Sequence, residues 1–186
     1  MKINLKQIYK GLDEWRAERK ITAESQRQGY IRNVMEELGE LAVGLRDYDS
    51  WSKCDLRFCQ IHKEMAEREI IDAICDISVL TINAGADIRD EYKPLSIDTT
   101  NTFSDLNCLL LYTSTFDFKK ILLNCAVLCE NYGFNFEIAM LETIKEISSR
   151  TGAYDENAKK WVKDTSDEAK AKWYKANYEL ARIKNV

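Results

Sequence analysis

Glu36, Glu37 and Glu40 stand together in NVMEELGELAVGL, and Glu69, Asp72 and Asp76 stand together in EREIIDAICDISVLTINAG. Apolar residues recur at spacings of three and four in both stretches, so both read as helix. Glu37/Glu40 and Glu69/Asp72 share the i, i+3 spacing that sets two carboxylates one turn apart on one face. Carboxylates are hard oxygen donors suited to Mg²⁺ or Mn²⁺, and they also serve as general bases. Two such helices packed together would present four carboxylates to one point. Their mutual repulsion would cost on the order of several kcal/mol unless protons or a cation offset it. The pattern therefore points to a divalent cation with a phosphate behind it.

The two clusters differ in their surroundings. At roughly 100° per residue, Glu69, Asp72 and Asp76 fall within about 60° of one another, and Asn83 joins the stripe. The rest of the stretch from Ile70 to Ala84 is apolar or small. A helix apolar nearly all round is buried, so its polar stripe faces a thin strip of solvent or an internal polar pocket. In the earlier helix, Ile31, Val34, Met35, Leu38, Leu41, Ala42 and Leu45 form one core face. Glu36 and Glu40 lie opposite it and Glu37 at its boundary, which alone would be an ordinary solvated face. A histidine-bearing di-iron bundle needs Glu-x-x-His motifs, and the single His62 does not supply one.

These residues need elements to hold them. Strand-like alternation is scarce and Pro94 is the only proline, which predicts an all-α fold. Helices are expected over about 4–19, 23–46, 56–86, 104–113, 117–132, 135–149 and 166–183. Gly133 is placed to close the fifth, and Ser166 with Asp167 and Glu168 to open the last. Loops are expected at 47–54 and 87–103. The 186 residues, 45% hydrophobic and 31% charged, suit one globular domain. A net charge of −4 gives no basic footprint for nucleic acid. No run is long enough to span a bilayer, and MKINLKQIYKGLDEW lacks a secretory h-region, so a cytoplasmic protein without a membrane partner is expected. Of the six cysteines, Cys75, Cys108, Cys125 and Cys129 lie among Ile, Leu and Val, and all are expected as reduced thiols.

Glu36-Glu37-x-x-Glu40 followed by Glu69-x-x-Asp72 resembles the EExxE…ExxD signature of the all-α nucleoside triphosphate pyrophosphatases, the MazG-like superfamily. NYGFNFEIAMLETIKEISSR is similar to a later helix of these proteins that ends in a Ser-basic element. The resemblance covers most of 1–88 and 131–163, and leaves about 89–130 as an inserted helical segment. It implies a single MazG-like bundle with a four-helix core and a C-terminal helix. It also implies cleavage of a nucleoside triphosphate between its α and β phosphates. Mg²⁺, or Mn²⁺, would lie on Glu37, Glu40, Glu69 and Asp72, with Asp76, one turn along, a further ligand or an acceptor behind the ligands. Glu36 and Glu37 are the expected catalytic residues, Glu36 orienting the attacking water as general base or joining a second metal. Arg150, Lys160 and Lys163 are the candidate phosphate-binding cations, and Trp15, Trp161 and Tyr154 the candidates for stacking on a base. Together with the apolar excess of the third helix, the resemblance predicts a homodimer or homotetramer. Two rival readings are a non-catalytic nucleotide binder of the same fold and a helical interaction protein. The latter would leave Glu69 and Asp72 exposed.

Overall fold

The computed structural model describes residues 5–87 and 102–183, apart from the side chains at 102, 103 and 105. Six helices carry the fold: α1 Leu5–Glu18, α2 Ala23–Trp51, α3 Arg57–Asn83, α4 Thr102–Ser114, α5 Phe118–Asn131 and α6 Phe136–Ser149. After them come a hairpin, β1 Gly152–Asp155 and β2 Lys160–Lys163, a short helix α7 Asp167–Lys170, and a 3₁₀ turn Tyr178–Ala181. Among the described residues the fold is all-α apart from that hairpin and a single antiparallel bridge between Phe134 and Arg182. No helix among the described residues is long and apolar enough to cross a membrane.

Side-chain caps start three of the six longer helices. Thr22 Oγ1 accepts from the Ser25 amide at 3.2 Å, Asp117 from Lys120 at 3.2 Å and Asn135 from Ile138 at 2.9 Å, each satisfying an amide the helix cannot. α2 continues through the expected loop as far as Trp51. Tyr48 packs on the core there and meets Tyr132 edge-on at 5.0 Å, so tertiary contact overrides the weak helix preference of the Asp residues. Cys54 and Cys59 form a disulfide across the α2–α3 turn, contrary to the expectation of six thiols. Cys75, Cys125 and Cys129 are free and buried, as small hydrophobes.

α3 is the central helix, and α2, α5, α6 and α1 all pack against it. Gly44 marks the closest approach of α2, where a Cβ would meet Ile70 Cγ1 at 3.0 Å. Ile70, Ile71, Ile74 and Ile77 are wholly buried, each contributing about 1.5–3 kcal/mol. The apolar excess of α3 is therefore covered within one chain. Much of that cover comes from α5, whose Ile121, Leu122, Cys125, Ala126 and Cys129 are wholly buried. α5 falls inside the segment read as an insertion, yet it is part of the core. Ile31 and Met35, assigned to the core face of α2, are instead exposed. The expected loop at 87–103 lies, but for its ends, outside the described residues.

The expected C-terminal helix does not form. Ser166 caps its start as predicted, accepting from the Ala169 amide at 3.2 Å, but the helix stops at Lys170. The amides that would continue it turn to side chains of α6. Tyr174 N donates to Ser149 Oγ at 2.8 Å, Ala176 N to Glu146 Oε2 at 2.9 Å and Asn177 N to Glu142 Oε2 at 3.1 Å. Tertiary acceptors thus replace the i−4 carbonyls.

Candidate functional site

α2 brings Glu37, and α3 brings Asp72 and Asp76, within one another's electrostatic reach. Glu37 and Asp76 are partly buried and line a cleft of about 220 Å³ whose wall also includes Asn83 of the predicted stripe. Burial, then the charges of Glu40, Asp72 and Glu36, push the Glu37 carboxyl up to about 7, with Arg150 opposing. Asp76 is pushed up to about 8, first by burial and then by Asp72 and Glu37, again against Arg150. Asp72 is raised mainly by burial of its surroundings, although the Tyr178 hydroxyl, donating to its Oδ1 at 2.6 Å, pulls the other way. Glu146 of α6 adds to the repulsion on both aspartates. Four carboxylates from three helices therefore share one field, with Arg150 the compensating charge common to Glu37, Asp72 and Asp76.

Among the described residues, no group of three His, Cys, Asp or Glu side chains closes on one point as metal ligands would. The donor chemistry nonetheless fits a hard cation: crowded carboxylates, under-compensated, without sulfur or imidazole. Glu36 and Glu40 are exposed on α2 and act on Glu37 through their charge. Glu69 is exposed and is not among the charges that act most on Glu37, Asp72 or Asp76. Asp72 is also open to solvent.

The expected cations separate. Arg150 lines the cleft and donates to Glu146 Oε1 at 2.7 Å, while its Nε is buried with no hydrogen-bond partner. Lys163 also lines the cleft, and its ammonium is held below its usual value by burial and by Arg150 and Lys170. Lys160 is exposed, pairs in the ladder with Asp155, and forms no part of the cleft lining. The hairpin that carries Lys163 turns on Asp155, whose Oδ1 accepts from the amides of Asn157 and Ala158 at 2.8 and 3.0 Å.

Trp15 and Trp161 line the cleft, but the space between them is taken. The Arg19 guanidinium lies 5.3 Å from the Trp15 ring and 5.1 Å from that of Trp161. It donates to the carbonyls of Ile147, Ser148 and Arg150 at 3.4, 3.1 and 3.1 Å, capping the end of α6. The Trp15 indole donates to Ile147 O at 3.2 Å. The pair clamps an arginine, so a base stacked between the two indoles is not what this arrangement provides. Tyr154 sits across the ladder from Trp161, under the Lys20 ammonium at 4.5 Å, and outside the cleft lining.

Sequence reasoning missed Glu146, Tyr178, Arg19 and Gln26, the last a further cleft residue. Glu146 had a signal: with Glu142 it makes an i, i+4 acidic pair on a helix whose Ile138, Ala139, Met140, Leu141, Ile144 and Ile147 mark it as packed. Tyr178 had none, because 106 residues separate it from Asp72. Comparison with protein-family models finds no match, and comparison with curated proteins and with solved structures finds none. The resemblance to a family therefore rests on the motif residues alone.

Proposed function

We propose that the chain is a metal-dependent nucleoside triphosphate pyrophosphohydrolase of the MazG-like type, converting (d)NTP to the monophosphate and pyrophosphate. The observation that carries this proposal is the cleft itself. Under-compensated Glu37 and Asp76, with Asp72 beside them, face Arg150 and Lys163. A polyphosphate bridged by a divalent cation would satisfy both ends.

Glu37, Asp72 and Asp76 would hold Mg²⁺, or Mn²⁺, with Glu40 and Glu69 joining from the exposed rim. When bound, the cation offsets phosphate charge and lowers the pKa of a coordinated water. Arg150, which lines the cleft, would turn its guanidinium to a phosphate oxygen, a charge-assisted bond worth about 1.5–3 kcal/mol. Lys163 adds a point charge on the same side. Glu36 would orient the attacking water, and Glu37, whose carboxyl is raised to about 7 by burial and neighbouring carboxylates in the metal-free chain, would be held ionised once the cation is bound. Self-association as a homodimer or homotetramer belongs to the same reading. Phe58, Ile61 and Met65, exposed at i, i+3 and i+7 on α3, are an apolar stripe available for it.

Asp72→Asn and Glu40→Gln test the proposal, read as pyrophosphate release in Mg²⁺. Each should lose roughly 10–100-fold or more; hydrolysis at the wild-type rate in either would overturn it. The exposure of Glu69 and Asp72 favours a second reading, a helical interaction protein with a solvated acidic stripe. That protein would show no rise in melting temperature with Mg²⁺, whereas linkage requires one of the proposed enzyme.

A further inference from the structure

The segment after α7 is fastened to α6 and then crosses to α3. On the near side of Tyr178, Tyr174 N, Ala176 N and Asn177 N are tied to Ser149, Glu146 and Glu142, and the Tyr174 hydroxyl donates to Glu142. On the far side, Asn135 N donates to Ala181 O and Ile183 N to Gly133 O, both at 2.7 Å, and Arg182 pairs with the buried Glu67 at 2.9 Å. Tyr178 is thus held from both directions and is buried, with its hydroxyl 2.6 Å from Asp72 Oδ1 and 3.0 Å from Thr143 Oγ1.

A phenol has one proton to donate. Given to Asp72 Oδ1, it leaves the phenol oxygen 3.0 Å from the Thr143 hydroxyl, which itself donates to Ala139 O at 3.1 Å. Tyr178 therefore stands between Thr143 on α6 and Asp72 on α3, with its own proton on the acid. We infer that Tyr178 is a positioning residue for Asp72, and that the C-terminal segment is the strap that delivers it. The inference rests on the metal-site reading above. The phenol fixes Oδ1 and so holds the carboxylate in one orientation, as residues behind a metal ligand do.

Tyr178→Phe removes this single oxygen. The probes are Mg²⁺, read as the concentration giving half the metal-dependent rise in melting temperature, and Mn²⁺, with the free ion counted by paramagnetic resonance. The half-point should move upward by roughly 10–100-fold, while the metal-free melting temperature stays within a few degrees of wild type. Thr143→Val, which removes the hydroxyl 3.0 Å from the phenol oxygen, should shift the half-point in the same direction by less, and it carries the test if Tyr178→Phe does not fold. Equal half-points in variant and wild type would overturn the inference and leave the cleft reading standing. Absence of any Mg²⁺ or Mn²⁺ response in the wild type would overturn both.

Discussion

Replacing Asp76 by Asn should stabilise the metal-free protein above neutral pH. Asp76 is partly buried at the cleft, and burial together with Asp72 and Glu37 pushes its carboxyl up to about 8. In the unfolded chain the same group ionises near its ordinary value of about 3.9. Between those two values the folded chain keeps a proton that the unfolded chain has released, so stability falls as pH rises. The slope for one such group is about 1.4 kcal/mol per pH unit, and the whole interval would amount to about 5–6 kcal/mol. Asp72 and Glu37 share the charge and the carboxyl keeps some solvent, so the realised loss is about 2–3 kcal/mol. Asn keeps the shape and does not ionise. Urea unfolding in excess chelator, at half-unit steps from pH 5.5 to 8.5, reads the effect. Wild type should lose stability steeply across this range and Asp76→Asn much less, Glu37 supplying the residual slope. At pH 8 the variant should be the more stable by about 1–3 kcal/mol. Parallel curves, or a variant weaker at pH 8, would refute the reasoning.

Other consequences are equally open to measurement. Arg150→Lys should raise KM for a nucleoside triphosphate by roughly 10-fold, because Lys keeps the charge but loses the planar guanidinium fork; an unchanged KM would remove Arg150 from substrate binding. Gly152→Ala would place a Cβ 2.3 Å from Val162 O and 2.9 Å from the Trp161 indole nitrogen. It should cost about 1–3 kcal/mol of stability and alter Trp161 fluorescence. Glu142 is buried, but its bonds to Lys145, Tyr174 and Asn177 outweigh desolvation and hold its carboxyl below the usual value. Glu142→Gln should cost about 1–3 kcal/mol in chemical denaturation and loosen 174–178 in hydrogen exchange.

The central helix was legible because a run as apolar as Ile70 to Ile82 has one stable environment, and its acidic stripe stood out against it. The N-cap at Ser166 was also legible, being a local preference. What followed Ser166 was not, since a helical composition gave way when Glu142, Glu146 and Ser149 offered acceptors to the amides of residues 174, 176 and 177. The hairpin escaped notice because YDENAKKW hides its pairing behind charged residues and an Asp155-centred turn. α5 was assigned to an insertion by resemblance, although its own apolar run announced a buried helix. Within the site, Glu37, Asp72 and Asp76 come together in the folded chain, whereas Glu69 stays exposed. The i, i+3 rule places residues on one face of their own helix and does not say how far along that face the partner helix reaches.

The most direct test of the acidic cleft as a phosphohydrolase centre is pyrophosphate release from a panel of canonical and damaged ribo- and deoxyribonucleoside triphosphates, with Mg²⁺ and with chelator. Stoichiometric monophosphate and pyrophosphate from at least one triphosphate, abolished by chelator and by Asp72→Asn, is the expected result. No release from any member of the panel, or release that persists in chelator, would contradict it.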